Sequence, residues 1–243
     1  MARIVIYGAT SAIAEEAARS CAARGDTLCL IGRNAARLTA VADDLAVRGA
    51  AHVLTAVLDF EDLELHAASV ADAQRQLGGI DAALIAHGVL DLEANGDPAA
   101  LAHLMHVNFV SAASLALRLG QAMRAAGGGT LVVLSSVAAE RGRRSNFGYG
   151  ASKAALNVFL QGLRAELAPA GVRVVTAKLG PTRTPMLRHR PAPPLVASAR
   201  RVGRGVARLL HRPRDEAYLP ALWGAVMWVV RALPEWLAKR LRW

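Results

Sequence analysis

A doubly wound α/β fold, in which helices cover both faces of a parallel sheet, is predicted by three features of the sequence. Short apolar runs alternate strictly with segments of helical period. The runs stay apolar at successive positions, as strands buried on both faces do. The 243 residues, 53% hydrophobic and 20% charged, suit one α/β domain and exclude a disordered or collagen-like chain.

Strands are expected over residues 3–7, 27–31, 52–58, 82–86, 130–135 and 172–178. Helices are expected near 13–24, 35–48, 62–76, 98–125 and 149–168. Right-handed crossovers between parallel strands place a ligand at the carboxyl ends of the sheet. The Arg- and Pro-rich stretch 185–194 reads as a loop before a last helical region. Cys21 and Cys29 are too few for a disulfide scaffold and are expected to fill core volume. No charged-then-apolar leader opens the sequence, so a cytoplasmic location is expected.

The net charge of +10 is unevenly placed. Residues 183–243 hold 13 Lys and Arg against 3 Asp and Glu, whereas residues 1–182 hold 16 of each. Trp223, Trp228, Trp236 and Trp243 fall in the same final segment. A neutral body is therefore expected to carry a basic, Trp-rich end; the α/β domain is expected over 1–212, with an amphipathic helical tail over 213–243 that is not an independent domain. Cations beside tryptophans suit an anionic membrane surface at least as well as nucleic acid. Nucleic-acid binding rests on charge alone and is not expected, because no recognition module accompanies it.

The first β–α junction reads Gly8-Ala9-Thr10-Ser11-Ala12-Ile13-Ala14. A tight turn there lets backbone N–H groups and a helix N-terminus face a pyrophosphate. Gly8 can make the turn, with Thr10, Ser11 and Ile13 as candidate contacts, but Ala12 and Ala14 stand where glycines usually allow closest approach. By itself the loop reads equally as a nucleotide cradle or an ordinary turn. The second strand runs into Arg33-Asn34, with no carboxylate for a ribose 2′-hydroxyl. Arg33 offers a planar cation to a 2′-phosphate, which favours NADP(H) over NAD(H); an ordinary surface arginine is the alternative. Asp59, followed by Phe60, closes the third strand, where its carboxylate can accept from an adenine amino group or cap the next helix.

Tyr149-Gly150-Ala151-Ser152-Lys153 opens the helix after the fifth strand, and i, i+4 spacing stacks Tyr149 and Lys153 on one face. A tyrosine with a pKa of about 10 is a poor acid–base group at neutral pH. A nearby ammonium favours the phenolate and is expected to lower that pKa. Ser136 stands thirteen residues earlier, at the end of the fifth strand, where its hydroxyl can hold a carbonyl oxygen. Asn108, in the long preceding helix, can hold Lys153 through a water.

In this order, each at a strand end, these residues resemble the short-chain dehydrogenase/reductases over nearly the whole chain. The matching parts are residues 8–14, Asp59, Ala86-His87-Gly88, Asn108, Ser136, residues 149–153 and residues 180–184. The resemblance implies a Rossmann-type enzyme that hands a hydride from a nicotinamide to a carbonyl carbon. Tyr149 would be the acid/base, Lys153 its pKa tuner and ribose ligand, Ser136 the oxygen holder and Asn108 the proton-relay anchor. Ala86, His87, Gly88, Thr182 and Thr184 would be further cofactor contacts, and the thirteen-residue spacing selects Ser136 over Ser135. Ala12, Ala14, His87 and Leu179 depart from the family pattern but touch none of the four catalytic positions.

The run 135–149 and the ending around Arg231-Ala232-Leu233-Pro234 are also similar to decaprenylphosphoryl-2-keto-erythro-pentose reductases. That similarity implies a 2-keto sugar on a polyprenyl phosphate as substrate and a flavoprotein oxidase as partner. The alternatives are a reductase of a soluble or acyl-chain ketone and a non-catalytic NADP(H)-binding protein. Arg141, Arg143 and Arg144 offer paired hydrogen bonds to a substrate phosphate, or form a solvated loop.

Residues 217–230 carry no charge. As a helix at ~1.5 Å per residue they would span about 21 Å, short of a ~30 Å hydrocarbon core. The tail, with Lys239, Arg240 and Arg242, is therefore expected to lie in a membrane interface, peripheral on the inner face, or to pack between subunits of a homo-oligomer. His103 and His106 fall on neighbouring helical turns without an evident third ligand, so no metal is expected.

Overall fold

The computed structural model describes residues 1–187 and 195–240. In chain order the strands are β1 (Arg3–Tyr7), β2 (Thr27–Gly32), β3 (His52–Val57), β4 (Ala82–Ile85), β5 (Gly129–Ser136), β6 (Val172–Leu179), β7 (Thr182–Arg183), β8 (Ala197–Ser198) and β9 (Glu216–Leu219). Seven of them form a parallel sheet in the order β3-β2-β1-β4-β5-β6-β9, while β7 and β8 pair separately. The order reverses beside β1, which opens a crevice at the carboxyl ends of β1 and β4.

The helices are α1 (Ala12–Ala22), α2 (Ala35–Val47), α3 (Leu65–Leu77), α4 (Pro98–Met105), α5 (Ala112–Ala125), α6 (Phe147–Leu167), α7 (Ala199–His211), α8 (Leu222–Ala232) and α9 (Glu235–Ala238). Successive strand residues face opposite ways, and the core divides accordingly. Ile4, Ile6, Leu28, Leu30 and Val132 pack with residues of α1, α2 and α7; Val5, Tyr7, Ile31, Ile85 and Val133 pack with α3, α5 and α6. Each fully buried Val, Leu or Ile is worth about 1.5–3 kcal/mol, which makes these two layers the main support of the crevice. Cys21 and Cys29 are buried among them, and burial pushes their thiols up to about 12 and about 11.

The expected strands are present with ends shifted by one residue at most, but β9 is a correction. The stretch 217–230 was expected as one uncharged helix. Its first residues instead pair in parallel with β6 from Thr176↔Glu216 to Leu179↔Leu219, and only α8 is helical. A four-residue strand shows no period of its own; the open edge of β6 draws it in. The sheet is thus completed beyond residue 212, where the body was expected to end.

A second difference lies in the long helix expected over 98–125. It is interrupted by a π-helical stretch, His106–Ser111, between α4 and α5. Such insertions often mark functional sites, and this one carries Asn108 at 0% exposure. The whole segment is long and apolar enough to cross a membrane by length and composition. Here it packs on the sheet and α6 through Leu104, Leu115 and Leu119, each fully buried.

Candidate active site

After β1 the chain turns at Gly8, with φ +83°, against the backbone of Ala86 and His87. A Cβ there would lie 2.6 Å from the His87 nitrogen, so only glycine fits. Ser11 then caps α1, its Oγ accepting from the Ala14 N–H at 3.2 Å. The N–H groups of Ala12 and Ile13 have no backbone acceptor among the described residues, as is usual in a first helical turn. Both residues line a cleft with Thr10 and Ser11. A helix start with free N–H groups under a glycine turn fits a pyrophosphate; Ala12 lines that cradle, while Ala14 is buried in the core.

On the side where an adenosine would lie, Asn34 caps α2 by accepting from the Arg37 N–H at 2.9 Å. Arg33 is exposed, 3.8 Å from Glu61. Arg37 was missed by the sequence reading: it lines the cleft and donates to the Thr10 carbonyl at 2.7 Å. On a helix face it looks like any surface arginine, and only the fold brings it to the loop. The Asp59 carboxylate accepts from the Glu61 N–H at 3.1 Å in a local turn and does not cap α3, whose N-cap Glu64 makes no side-chain bond. Phe60 is buried and stacks on His87 with centroids 4.5 Å apart. Burial first, then the Lys153 charge, pushes His87 down to about 3, so the ring is neutral; its Nε2 lies 3.0 Å from Ser111 Oγ.

Tyr149 and Lys153 both line the cleft, together with Ala86, His87, Gly88 and Thr184. Ser136 ends β5; its Oγ accepts from the Ala138 N–H at 3.1 Å, and its side chain is near enough to Tyr149 to pull that residue's pKa down. The neighbouring Ser135 commits its hydroxyl to Asn157 Oδ1 at 2.6 Å. Asn108 Oδ1 accepts from the Val89 N–H at 2.8 Å, and its Nδ2 donates to the Val89 carbonyl at 2.9 Å and to Ser152 Oγ at 3.2 Å. It thereby pins the segment after β4, while Lys153 Nζ donates to the Leu134 carbonyl at 3.4 Å. Thr182 is buried and bonds the Gly180 carbonyl at 2.9 Å.

The electrostatics differ from expectation in one respect. Burial raises the Tyr149 pKa, and Ser136 and then Arg143 pull it only partly back. Burial also lowers Lys153 to about 8. Desolvation of the phenolate outweighs its neighbours, so near neutral pH Tyr149 holds its proton.

The three loop arginines separate. Arg141 donates to the Leu233 carbonyl at 2.6 Å and to Glu235 at 2.7 Å, so it clamps the tail instead of facing the cleft. Arg144 is exposed. Arg143 is half-buried, its pKa lowered mainly by burial, and its charge bears on Tyr149. It has no acidic partner among the described residues. The tail reaches the same region: Trp223 of α8 packs on Gly180 so closely that a Cβ there would meet Nε1 at 2.1 Å. Trp243 and Arg242, and residues 188–194 of the expected loop, lie outside the described residues.

His103 and His106 both contact Glu61, each at 3.1 Å. Cys21, Asp26 and His211 bring ligand atoms within 4.8 Å of one another, a grouping that the sequence spacing hides. It lies where α1 and α7 end and β2 begins, away from the cleft, and His211 Nε2 is 3.0 Å from Asp26 Oδ2.

The short chain dehydrogenase family model matches residues 2–194. An uncharacterized oxidoreductase of Mycobacterium tuberculosis is 36% identical over 242 residues, covering 99% of this chain and 97% of that protein. A galactitol 2-dehydrogenase (L-tagatose-forming) of Cereibacter sphaeroides is 34% identical over 193 residues, covering 76% of this chain and 74% of its own. A crystal structure of a short chain dehydrogenase from Burkholderia cenocepacia in complex with NADP superposes with a TM-score of 0.84 at 24% identity, covering 99% of this chain and 97% of that one.

Proposed function

The chain belongs to the short-chain dehydrogenase/reductase family, an oxidoreductase acting on CH–OH groups with a nicotinamide cofactor, and on that premise we propose the direction and substrate of its reaction. It reduces a carbonyl to an alcohol with NADP(H), and the substrate is a 2-keto sugar on a polyprenyl phosphate. The observation that carries the reduction is one cleft that holds Tyr149, Lys153 and the open start of α1 together.

Bound nicotinamide supplies the hydride that reduces the carbonyl carbon. Ser136 donates a hydrogen bond to the carbonyl oxygen and orients it beside Tyr149. Tyr149, kept protonated by burial, gives its proton to that oxygen as negative charge builds there, and leaves as phenolate. Lys153 stabilises the phenolate by its charge, and Asn108 positions the segment after β4 that walls the cleft.

A relative named for oxidation at carbon 2 of a polyol supports a sugar-like substrate. Arg143, half-buried and without an acidic partner among the described residues, supports a phosphate on it. Arg33 and Arg37 support NADP(H) over NAD(H) by offering cations to a 2′-phosphate. We further propose a cytoplasmic enzyme whose ketone comes from a flavoprotein oxidase. The exposed Val110, Leu117 and Val158 on and beside α5 and α6 fit a second copy of the chain.

The test is NADPH oxidation by the purified protein with a polyprenyl-phosphate keto-pentose beside a panel of simple ketones. Turnover of the lipid-linked sugar alone supports the full reading. Turnover of simple ketones alone keeps the chemistry and discards the sugar.

A further inference from the structure

Helix α8 is apolar on both sides. Its inner side, Trp223, Met227 and Val230, packs with Val137. Its outer side shows Leu222 at 52%, Trp228 at 68% and Val229 at 54% exposure, and Trp236 of α9 continues the patch at 59%. Ala225 and Ala232 are exposed with them, so no polar side chain interrupts the face between Leu222 and Arg231. A helix apolar all round needs a nonpolar surround, and an exposed patch of this kind marks a contact surface.

The charges bordering the patch choose the occupant. Arg231 is 51% exposed, and Lys239 and Arg240 are exposed beside it. Among the described residues two acids lie there: Glu140 pairs with Arg231 at 3.4 Å and with Lys178 at 2.7 Å, and Glu235 pairs with Arg141 at 2.7 Å. Lys239 and Arg240 have no acidic partner among the described residues, so the unpaired charge at this edge is positive. A two-fold contact with a second copy brings the same surface patch onto itself and sets cations near cations, whereas anionic headgroups neutralise them.

We propose that the outer face of α8 and α9 docks on the surface of an anionic lipid bilayer. Trp228, Val229 and Leu222 enter the headgroup–acyl boundary, and Lys239 and Arg240 meet lipid phosphates. The eleven residues of α8 are about 16 Å long at ~1.5 Å per residue, roughly half a hydrocarbon core, so the helix lies on the membrane and does not cross it. Because Trp223 on the opposite side touches Gly180, the docked face is one helix diameter, about 10 Å, from the segment entering the cleft. A lipid-borne carbonyl then has a short path to Tyr149. This inference stands on the patch and goes beyond the proposed reaction.

The test is sedimentation of the full-length protein with phosphatidylglycerol/phosphatidylcholine vesicles against pure phosphatidylcholine vesicles. Expected are binding to the anionic vesicles, its loss in high salt, and a blue shift of tryptophan fluorescence. The pair Trp228→Glu and Val229→Glu should weaken binding by more than about tenfold while leaving circular dichroism and NADPH binding unchanged. Lys239→Glu with Arg240→Glu, remote from the packed side of α8, should weaken it by about fivefold per charge. No binding, equal binding to both vesicle types, or unaltered binding by both variants would overturn the proposal. So would a native dimer, seen by light scattering, that the Trp228 and Val229 substitutions dissociate. None of these readouts involves turnover, so they separate membrane docking from the choice of substrate.

Discussion

Lys178 Nζ lies 2.7 Å from Glu140 Oε1, and both side chains are only 5% exposed. The same ammonium is 2.7 Å from Glu216 and 5.3 Å above the Tyr218 ring, while the other Glu140 oxygen is 3.4 Å from Arg231. One buried charge cluster thus fastens β6, the segment following Ser136, β9 and α8 to one another. Burial alone would lower the Lys178 pKa, but the bonds to Glu140 and Glu216 outweigh it and hold it above its ordinary value. The cluster ties the short segment after β5 to β6, β9 and α8.

Glu140→Gln should therefore destabilise the fold by about 2 kcal/mol, since Lys178 loses one of its two charge-assisted bonds and keeps the one to Glu216. Urea denaturation measures the loss. The double variant Glu140→Gln with Lys178→Met should lose less than the sum of the two single variants, because the two side chains share one bond. Equal stability of Glu140→Gln and the native protein would mean that water already neutralises the cluster.

Tyr149→Phe keeps the ring that fills its buried site and removes the proton. Reduction should fall by at least about a hundredfold, the usual worth of a positioned acid, while NADPH binding by fluorescence titration stays within error. Ser136→Ala, which removes the hydroxyl that pulls the Tyr149 pKa down, should act in the same direction. Unchanged turnover in Tyr149→Phe would place the proton donor elsewhere.

Arg143→Gln should raise KM for a phosphate-bearing ketone by about ten- to a hundredfold, the range for a lost charge-assisted hydrogen bond. It should leave KM for an uncharged ketone unaltered. Arg144→Ala, at an exposed position, should change neither. Steady-state kinetics on the paired substrates decides between a phosphate contact and a loop cation without a role.

Much of this architecture was legible because its strands are continuous apolar runs bounded by turn residues, and Tyr149 and Lys153 share a helix face whatever surrounds them. What the sequence hid depends on long-range contacts. β9 exists because β6 has an edge to cover. Arg141 looked like a partner of Arg143 in a basic run, yet its guanidinium reaches residues more than ninety positions later. Arg37 is a cleft residue because α2 lies beside the first turn, which no local pattern records. The Tyr149 shift reversed sign for the same reason, since adjacency to a lysine is visible in a sequence and desolvation is not.

Desolvation gives the last prediction its sign. Lys153 is held down to about 8 by burial, against about 10.4 for a free lysine. The ammonium is present below about pH 8 and lost above it, so kcat/KM for reduction should fall as pH rises through about 8. Stability moves the other way. Between the native and unfolded pKa values the unfolded chain binds more protons, so the contribution of Lys153 to stability increases with pH across that window. A falling kcat/KM with an unchanged or rising denaturation midpoint, measured from pH 7 to 9.5, would assign the limb to Lys153 and not to unfolding. Lys153→Arg, charged throughout the range, should retain NADPH binding and lose that limb even where its turnover is low.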